Sequence, residues 1–249
     1  MQPSSRKPAA LRFTPLAAAV LLLGHGVASD AQDVAVVELE RVEVIPLSPL
    51  PGLGVPKGLV PANVQTVSAA ELARRHALDL ASHLNRALGS VSINELQGNP
   101  FQPDGNFRGF TASPLLGTPQ GLSVYLDGVR LNQPFGDVVS WDLIPRAAIR
   151  SIALMPGSNP LFGLNTLGGA LSVQTKDGLQ EPGSAVQVSA GSNHRAAIEF
   201  ETGGSRADGV NWYVTGNRFH ERGWRAASPS DVGQLFGKVG KLPWGVAIR

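Results

Sequence analysis

The sequence predicts an α+β domain followed by a run of antiparallel strands, and three observations carry that expectation. Residues 62 to 180 mix one helical stripe with several short strand patterns. From Gly183 the texture changes to alternating runs divided by turn residues. The composition, 29 glycines and 19 prolines with only 16% charged residues, suits turns and β-structure better than a helix bundle.

The chain opens with "MQPSSRKPAALRFTPLAAAVLLLGHGVASDAQD". A basic stretch precedes an apolar run that is too short to span a bilayer, and small residues then allow cleavage after Ala28 or Ala31. Residues 1–31 therefore read as a secretory signal peptide, and the mature protein is expected outside the cytoplasm. There is no cysteine, which rules out disulfides, a thiolate metal site, a thiol nucleophile and a lipid anchor on cysteine. Formal charge is +2, but Arg6, Lys7 and Arg12 lie in the leader. Without them 21 − 3 = 18 basic residues face 19 acidic ones, a balance that does not point to nucleic acid.

Residues 32–61 form a mature amino-terminal segment. Valines interspersed with acids between 34 and 45 have the pattern of a short extended strand, able to pair with another sheet edge. The Pro/Gly-rich run from Pro46 to Pro61 reads as an extended linker.

"NVQTVSAAELARRHALDLASHLNRALGSVSIN" starts as a strand and turns helical. Ser68 with Glu71 three residues later is a capping box, and Leu72, Leu80, Leu84 and Leu88 fall near one helical stripe. His76 and Asp79 suggest a break within it. Together with His83 they invite a metal reading, but no further strong ligand lies nearby and they are read as helix-surface residues. "LSVYL", Asp127-Gly128 and "VRL" make a hairpin with a type I′ turn. A short helical turn, the strand "IRSIALM" and the strand "ALSVQT" follow. Between those strands Gly157, Gly163, Gly168 and Gly169 allow positive φ or close backbone approach, while Pro156 and Pro160 restrict the loop.

Beyond Gly183, "SAVQVSAG", "RAAIEFETG", "VNWYVTGNRFHE" and "GQLFGKVGKL" alternate. Val186, Val188 and Ala190 oppose Gln187 and Ser189; Ile198 and Phe200 oppose Glu199 and Glu201. Such a meander fits a half-buried antiparallel sheet, or an outer-membrane barrel with its apolar face toward lipid.

"FRGF" (107–110), "VYLDGVRL" (124–131), "IPRAAIRSIALMPGSNPLFG" (144–163) and "LGGALSVQTK" (167–176) together resemble the plug of a TonB-dependent outer-membrane receptor. The resemblance implies an α+β plug domain over 62–180. An incomplete antiparallel transmembrane β-barrel of four or five strands would occupy 181–249. It further implies energy-coupled uptake of a scarce nutrient such as an iron–siderophore complex, with outer-membrane lipid, the periplasmic protein TonB and the cargo as partners. No resident cofactor, metal or catalytic residue is implied. By position, the TonB-interacting stretch is expected at Glu40, Arg41, Val42, Glu43, Val44, Ile45 and Pro46. Cargo-facing plug loops are expected to present Phe110, Asn132, Gln133, Phe135 and Trp141.

The sequence departs from the family pattern in two respects. The family strand Glu-Arg-Ile-Glu-Val ending in Arg-Gly-Pro is here "RSIALMPGS", which lacks the glutamates and has Pro156 in place of the arginine. Arg108 remains as the expected plug–barrel contact. A family barrel has about 22 strands, far more than residues 183–249 can supply, so the chain as given is expected to be a fragment unable to transport alone. The alternative is a secreted or periplasmic ligand-binding module using the α+β domain by itself. An enzyme is not expected, because no phosphate loop, nucleophile elbow or zinc helix is present.

Overall fold

The computed structural model describes residues 44–45, 55–74, 80–95 and 97–241. The expected signal peptide, most of the 40–46 stretch, residues 46–54, and His76 and Asp79 lie outside the described residues.

Strand β1 (Val44–Ile45) pairs antiparallel with β2 (Val55–Pro56), Val44 opposite Pro56 and Ile45 opposite Val55. A 3₁₀ turn over Lys57–Leu59 follows, and Lys57 Nζ donates to Thr66 Oγ1 at 2.8 Å. The carboxy-terminal end of the Pro/Gly-rich segment is thus folded onto the domain, where the sequence suggested only an extended linker.

Strand β3 (Gln65–Ser68) leads directly into helix α1 (Ala69–Arg74), and the Ser68 hydroxyl accepts from Glu71 N at 3.3 Å. That bond satisfies one of the free amides of the first turn, as the capping-box pattern requires. Helix α2 (Leu80–Ala87) follows, and Leu72, Leu80, Leu84 and Leu88 are all buried. Next come β4 (Val91–Asn94), β5 (Asp104–Phe107) and β6 (Phe110–Ala112), a small antiparallel sheet in sequence order.

The main sheet adds β7 (Leu122–Leu126), β8 (Val129–Arg130), β9 (Ile149–Pro156) and β10 (Gly169–Thr175) to β3, in the order β3-β9-β10-β7-β8. Asp127 and Gly128, at φ 48° and 85°, form the expected tight turn between β7 and β8. Two 3₁₀ turns, Trp141–Leu143 and Arg146–Ala148, stand where one helical turn was expected. Pro145 separates them, since it cannot supply the amide that would continue a helix.

Strand β10 runs antiparallel to β9 and parallel to β7. A parallel pair needs cover on both faces, and this sheet has it. On one face Val67, Val124, Ile152, Leu154, Leu171 and Val173 pack with Leu72, Leu84, Phe107 and Trp141; on the other, Tyr125, Met155 and Ala170 pack with Val64 and Phe162.

Strands β11 (Gly183–Ala190), β12 (Ala196–Ser205), β13 (Val210–Glu221) and β14 (Ser230–Lys241) form a separate antiparallel meander. The inward positions of β13, from Asn211 through Tyr213, Thr215 and Phe219 to Glu221, are buried, with the Tyr213 hydroxyl donating to Ala147 O and the Phe219 ring against Phe101. The outward side is bare and largely apolar, with Val188 72% exposed, Leu235 78% and Val239 79%, and the charged residues Arg218, His220 and Asp231 cluster near the end of β13 and the start of β14. Among the described residues no helix is long and apolar enough to cross a membrane, a statement that leaves strands untouched.

Candidate functional site

The pairing of β7, β9 and β10 sets which loops meet. Gly169 lies opposite both Leu122 and Pro156, so the starts of β7 and β10 and the end of β9 share one edge. Loops 113–121, 132–139 and 157–168 therefore gather at one end of the sheet. The Asp127-Gly128 turn and Thr175 lie at the other.

The three loops are stitched together. Gly121 O accepts from the backbone amides of Leu167 and Gly168, and Val139 N donates to Ser113 O. The Gln120 amide bridges Ser113, Leu115 and Thr118. Gly169 adopts φ 153°, and a Cβ there would meet the Met155 carbonyl at 2.5 Å, so this glycine is required where β10 begins. Gly168 is needed for a different reason: a side chain there would run into the Phe110 ring.

Arg130 ties two of the loops to the sheet. Its guanidinium donates to Asp137 Oδ1 at 3.0 Å and to Leu164 O at 2.8 Å, while Asn165 donates to Asp137 Oδ2 at 2.6 Å. Tyr125, whose hydroxyl donates to Phe162 O, is pushed above its ordinary pKa chiefly by burial and stays a neutral donor.

The residues expected to face cargo divide into two groups. Phe135 is 78% exposed, and Gln133 is exposed with its amide donating to Ser140 Oγ. Asn132 is buried: it accepts from Val124 N and donates to Leu122 O and Asp137 O, bracing the loop from beneath. Trp141 is buried in the core, with Nε1 donating to Ala112 O, and Phe110 is half-buried against Gly121 and Gly168. Residue type suggested all five; which of them are buried was set by their partners in the fold.

A second constellation joins the domain to the inward face of the meander. Arg146 donates to Glu199 at 2.5 Å, with Gln187 beside it. Lys176 pairs with Glu201 at 2.6 Å, and the buried Tyr213 hydroxyl lies 2.6 Å from that carboxylate and 2.8 Å from Ala147 O. Lys238 reaches Asp127 at 3.0 Å and Thr175 Oγ1 at 2.9 Å. Burial pushes the Asp127 carboxyl upward, but bonds from Thr175 and the Lys238 ammonium outweigh it and hold it below the usual carboxylate range. At the junction, a Cβ on Gly178 would overlap backbone of Trp212 and Gly204, so only glycine lets the connecting segment lie on the sheet.

Arg108, the expected plug–barrel contact, sits exposed in the β5–β6 turn at φ 53°, its guanidinium 5.0 Å from the Phe107 ring centre. Among the described residues, the ionic contacts between domain and meander are carried by Arg146, Lys176 and Asp127. Alternation had marked Glu199 and Glu201 as one polar face. Their partners lie 53 and 25 residues away, beyond the reach of any local pattern.

Residues 56–170 match the family model described as TonB-dependent Receptor Plug Domain. The vitamin B12 transporter BtuB of Vibrio vulnificus (strain CMCP6) is 26% identical over 155 residues, which are 62% of this chain and 24% of that protein. The chain thus spans about a quarter of the length of this relative. Among solved structures, a double mutant of the Serratia marcescens hemophore receptor HasR superposes with TM-score 0.53 at 16% identity. That match covers 74% of this chain and 30% of the receptor. FpvA of P. aeruginosa superposes with TM-score 0.51 at 14% identity, over 70% of this chain and 23% of that one. These likenesses reach both the α+β domain and the strands after it, and at such identities they establish the shared fold. Residues 56–170 therefore carry the plug domain of the TonB-dependent receptors, and the strands that follow share the fold of part of the barrel wall in such receptors.

Proposed function

We propose that this chain supplies the plug and adjoining wall of an outer-membrane receptor for energy-coupled uptake of a small nutrient. One observation carries the reading: the wall is largely apolar on its bare outward face, with its exposed charges Arg218, His220 and Asp231 near one end of β13 and β14, and is bonded to the plug by charged groups on its inward face. That polarity suits lipid outside and a filled lumen inside. The relatives fit, being named as a vitamin B12 transporter, a hemophore receptor and a protein bound to pyoverdines. Transport itself requires a closed wall, because unpaired strand edges are not tolerated in lipid.

In this reading the stretch Glu40 to Pro46 recruits TonB by strand addition. Val44–Ile45 is already extended and, among the described residues, pairs with the two residues of β2, an arrangement that a partner's longer strand can replace. At the opposite end Phe135 and Gln133 meet the cargo, while Asn132, Trp141 and Phe110 hold the loops that present them. Arg108 is proposed to contact a part of the wall other than β11–β14.

The test uses the absence of native cysteine. Glu43→Cys should form a disulfide with a cysteine-bearing periplasmic domain of TonB, and Ser158→Cys in the loop end should not. Equal capture at both positions, or none at Glu43→Cys, would reject the assignment.

A further inference from the structure

The loop end of the plug is almost free of charge. Across residues 113–121, 132–139 and 157–168 the only ionisable side chain is Asp137. Its carboxylate is bound by Arg130 on one oxygen and Asn165 on the other, and the Arg130 guanidinium is also bonded to Leu164 O. The nearest cation is therefore already neutralised, in a pair whose side chains are about a quarter exposed. What the loops leave bare is apolar: Leu116 at 61%, Phe135 at 78%, Leu161 at 64% and Leu164 at 87%. The uncharged groups of Gln133 and Ser158 lie exposed beside them.

We infer that this loop end takes a cargo of zero net charge that presents apolar and amide-like surface to the plug. The inference rests on the receptor reading above and narrows its substrate class. A charged molecule pressed on these loops loses hydration without gaining a counter-ion. An anion has the further difficulty that Arg130 is already charge-paired with Asp137, whose carboxylate would stand beside the incoming negative charge. A neutral molecule meets neither cost. It gains from covering the exposed leucines and Phe135, a rigid aromatic surface with little entropy to lose.

The experiment titrates the full chain in detergent micelles with two probes of similar size, a neutral ferric trihydroxamate chelate and a trianionic ferric tricatecholate chelate. The neutral chelate should bind with little dependence on salt. Phe135→Ala should weaken it about tenfold, the loss typical of a central aromatic contact. Leu164→Lys, at a site too exposed to affect folding, should create salt-sensitive binding of the anionic chelate where the parent has little. Tighter binding of the anionic chelate by the parent protein, weakened by salt, would overturn the inference. So would failure of the neutral chelate to bind, since the loop end would then be covered by something other than cargo. Neither result bears on the Glu43→Cys capture by TonB, which tests the receptor reading separately.

Discussion

Plug and wall use the same apolar residue types in opposite directions. In the plug, the strands "LSVYL" and "GALSVQT" are buried on both faces, and the Ser123 hydroxyl there is bonded to that of Thr166. In the wall, Val188, Ile198, Leu235 and Val239 lie exposed on the outward side, while Glu199, Glu201, Gln187 and Lys238 lie inward beside the buried rings of Tyr213 and Phe219. The plug is thus organised around a core and the wall around its neighbour. The contact between them is consequently a layer of paired charges set around a few buried aromatics, with the Phe219 ring centre 4.9 Å from that of Phe101.

This contrast can be broken from either side. Phe107→Ala, at a site 1% exposed, should cost the plug about 3–5 kcal/mol through lost burial and a cavity. Leu235→Ala on the outward wall should barely change the same thermal unfolding in micelles, and comparable losses at the two sites would abolish the distinction. A smaller effect, about 2–4 kcal/mol at the bilayer midplane, is expected for Leu235→Arg. It should appear when folding is measured in lipid vesicles, and an unchanged folding yield would remove Leu235 from a lipid-facing position.

The charged layer sharpens the comparison. Glu199→Ala strands Arg146 and should cost about 2 kcal/mol. That is below the loss for a fully buried pair, because both side chains keep some water and Gln187 remains nearby. The measurement is a double-mutant cycle with Arg146→Ala, in which additivity would deny the coupling. The smallest effect concerns pH. The Asp127 carboxyl is held below its ordinary range, so its contribution is complete above the unfolded pKa of about 4 and disappears as pH falls through the folded value. Asp127→Asn should therefore lower stability at neutral pH and flatten its decline in acid. An acid limb identical to that of the parent protein would show that other carboxylates govern it.

Much of the local architecture was legible in the residues. Ser68 and Glu71 announced the start of α1, Asp127-Gly128 announced its hairpin, and the leucines of the helical stripe announced the buried side. Each depends on neighbours within a few positions, where backbone preference and periodicity act directly. The candidate site was legible only in part. The loops around Phe135 and Gln133 could be marked as candidate contacts, but Asn132 and Trp141 have the same chemistry and are buried because Leu122, Val124 and Ala112 receive or supply their bonds. The Pro/Gly-rich segment misled in one place, since Lys57 reaches Thr66 and brings the end of that segment onto the domain.

By itself the sequence determined the elements, the alternation of the wall strands and the near absence of charge in the loops of one end, because these are properties of residue type and short spacing. Tertiary structure alone decided that β10 lies between β9 and β7, that Arg146 and Lys176 meet Glu199 and Glu201, and that Arg130 neutralises Asp137. Strands buried on both faces carry no mark of their partners. Ions of opposite sign attract wherever they meet, so only the folded chain selects which of them do.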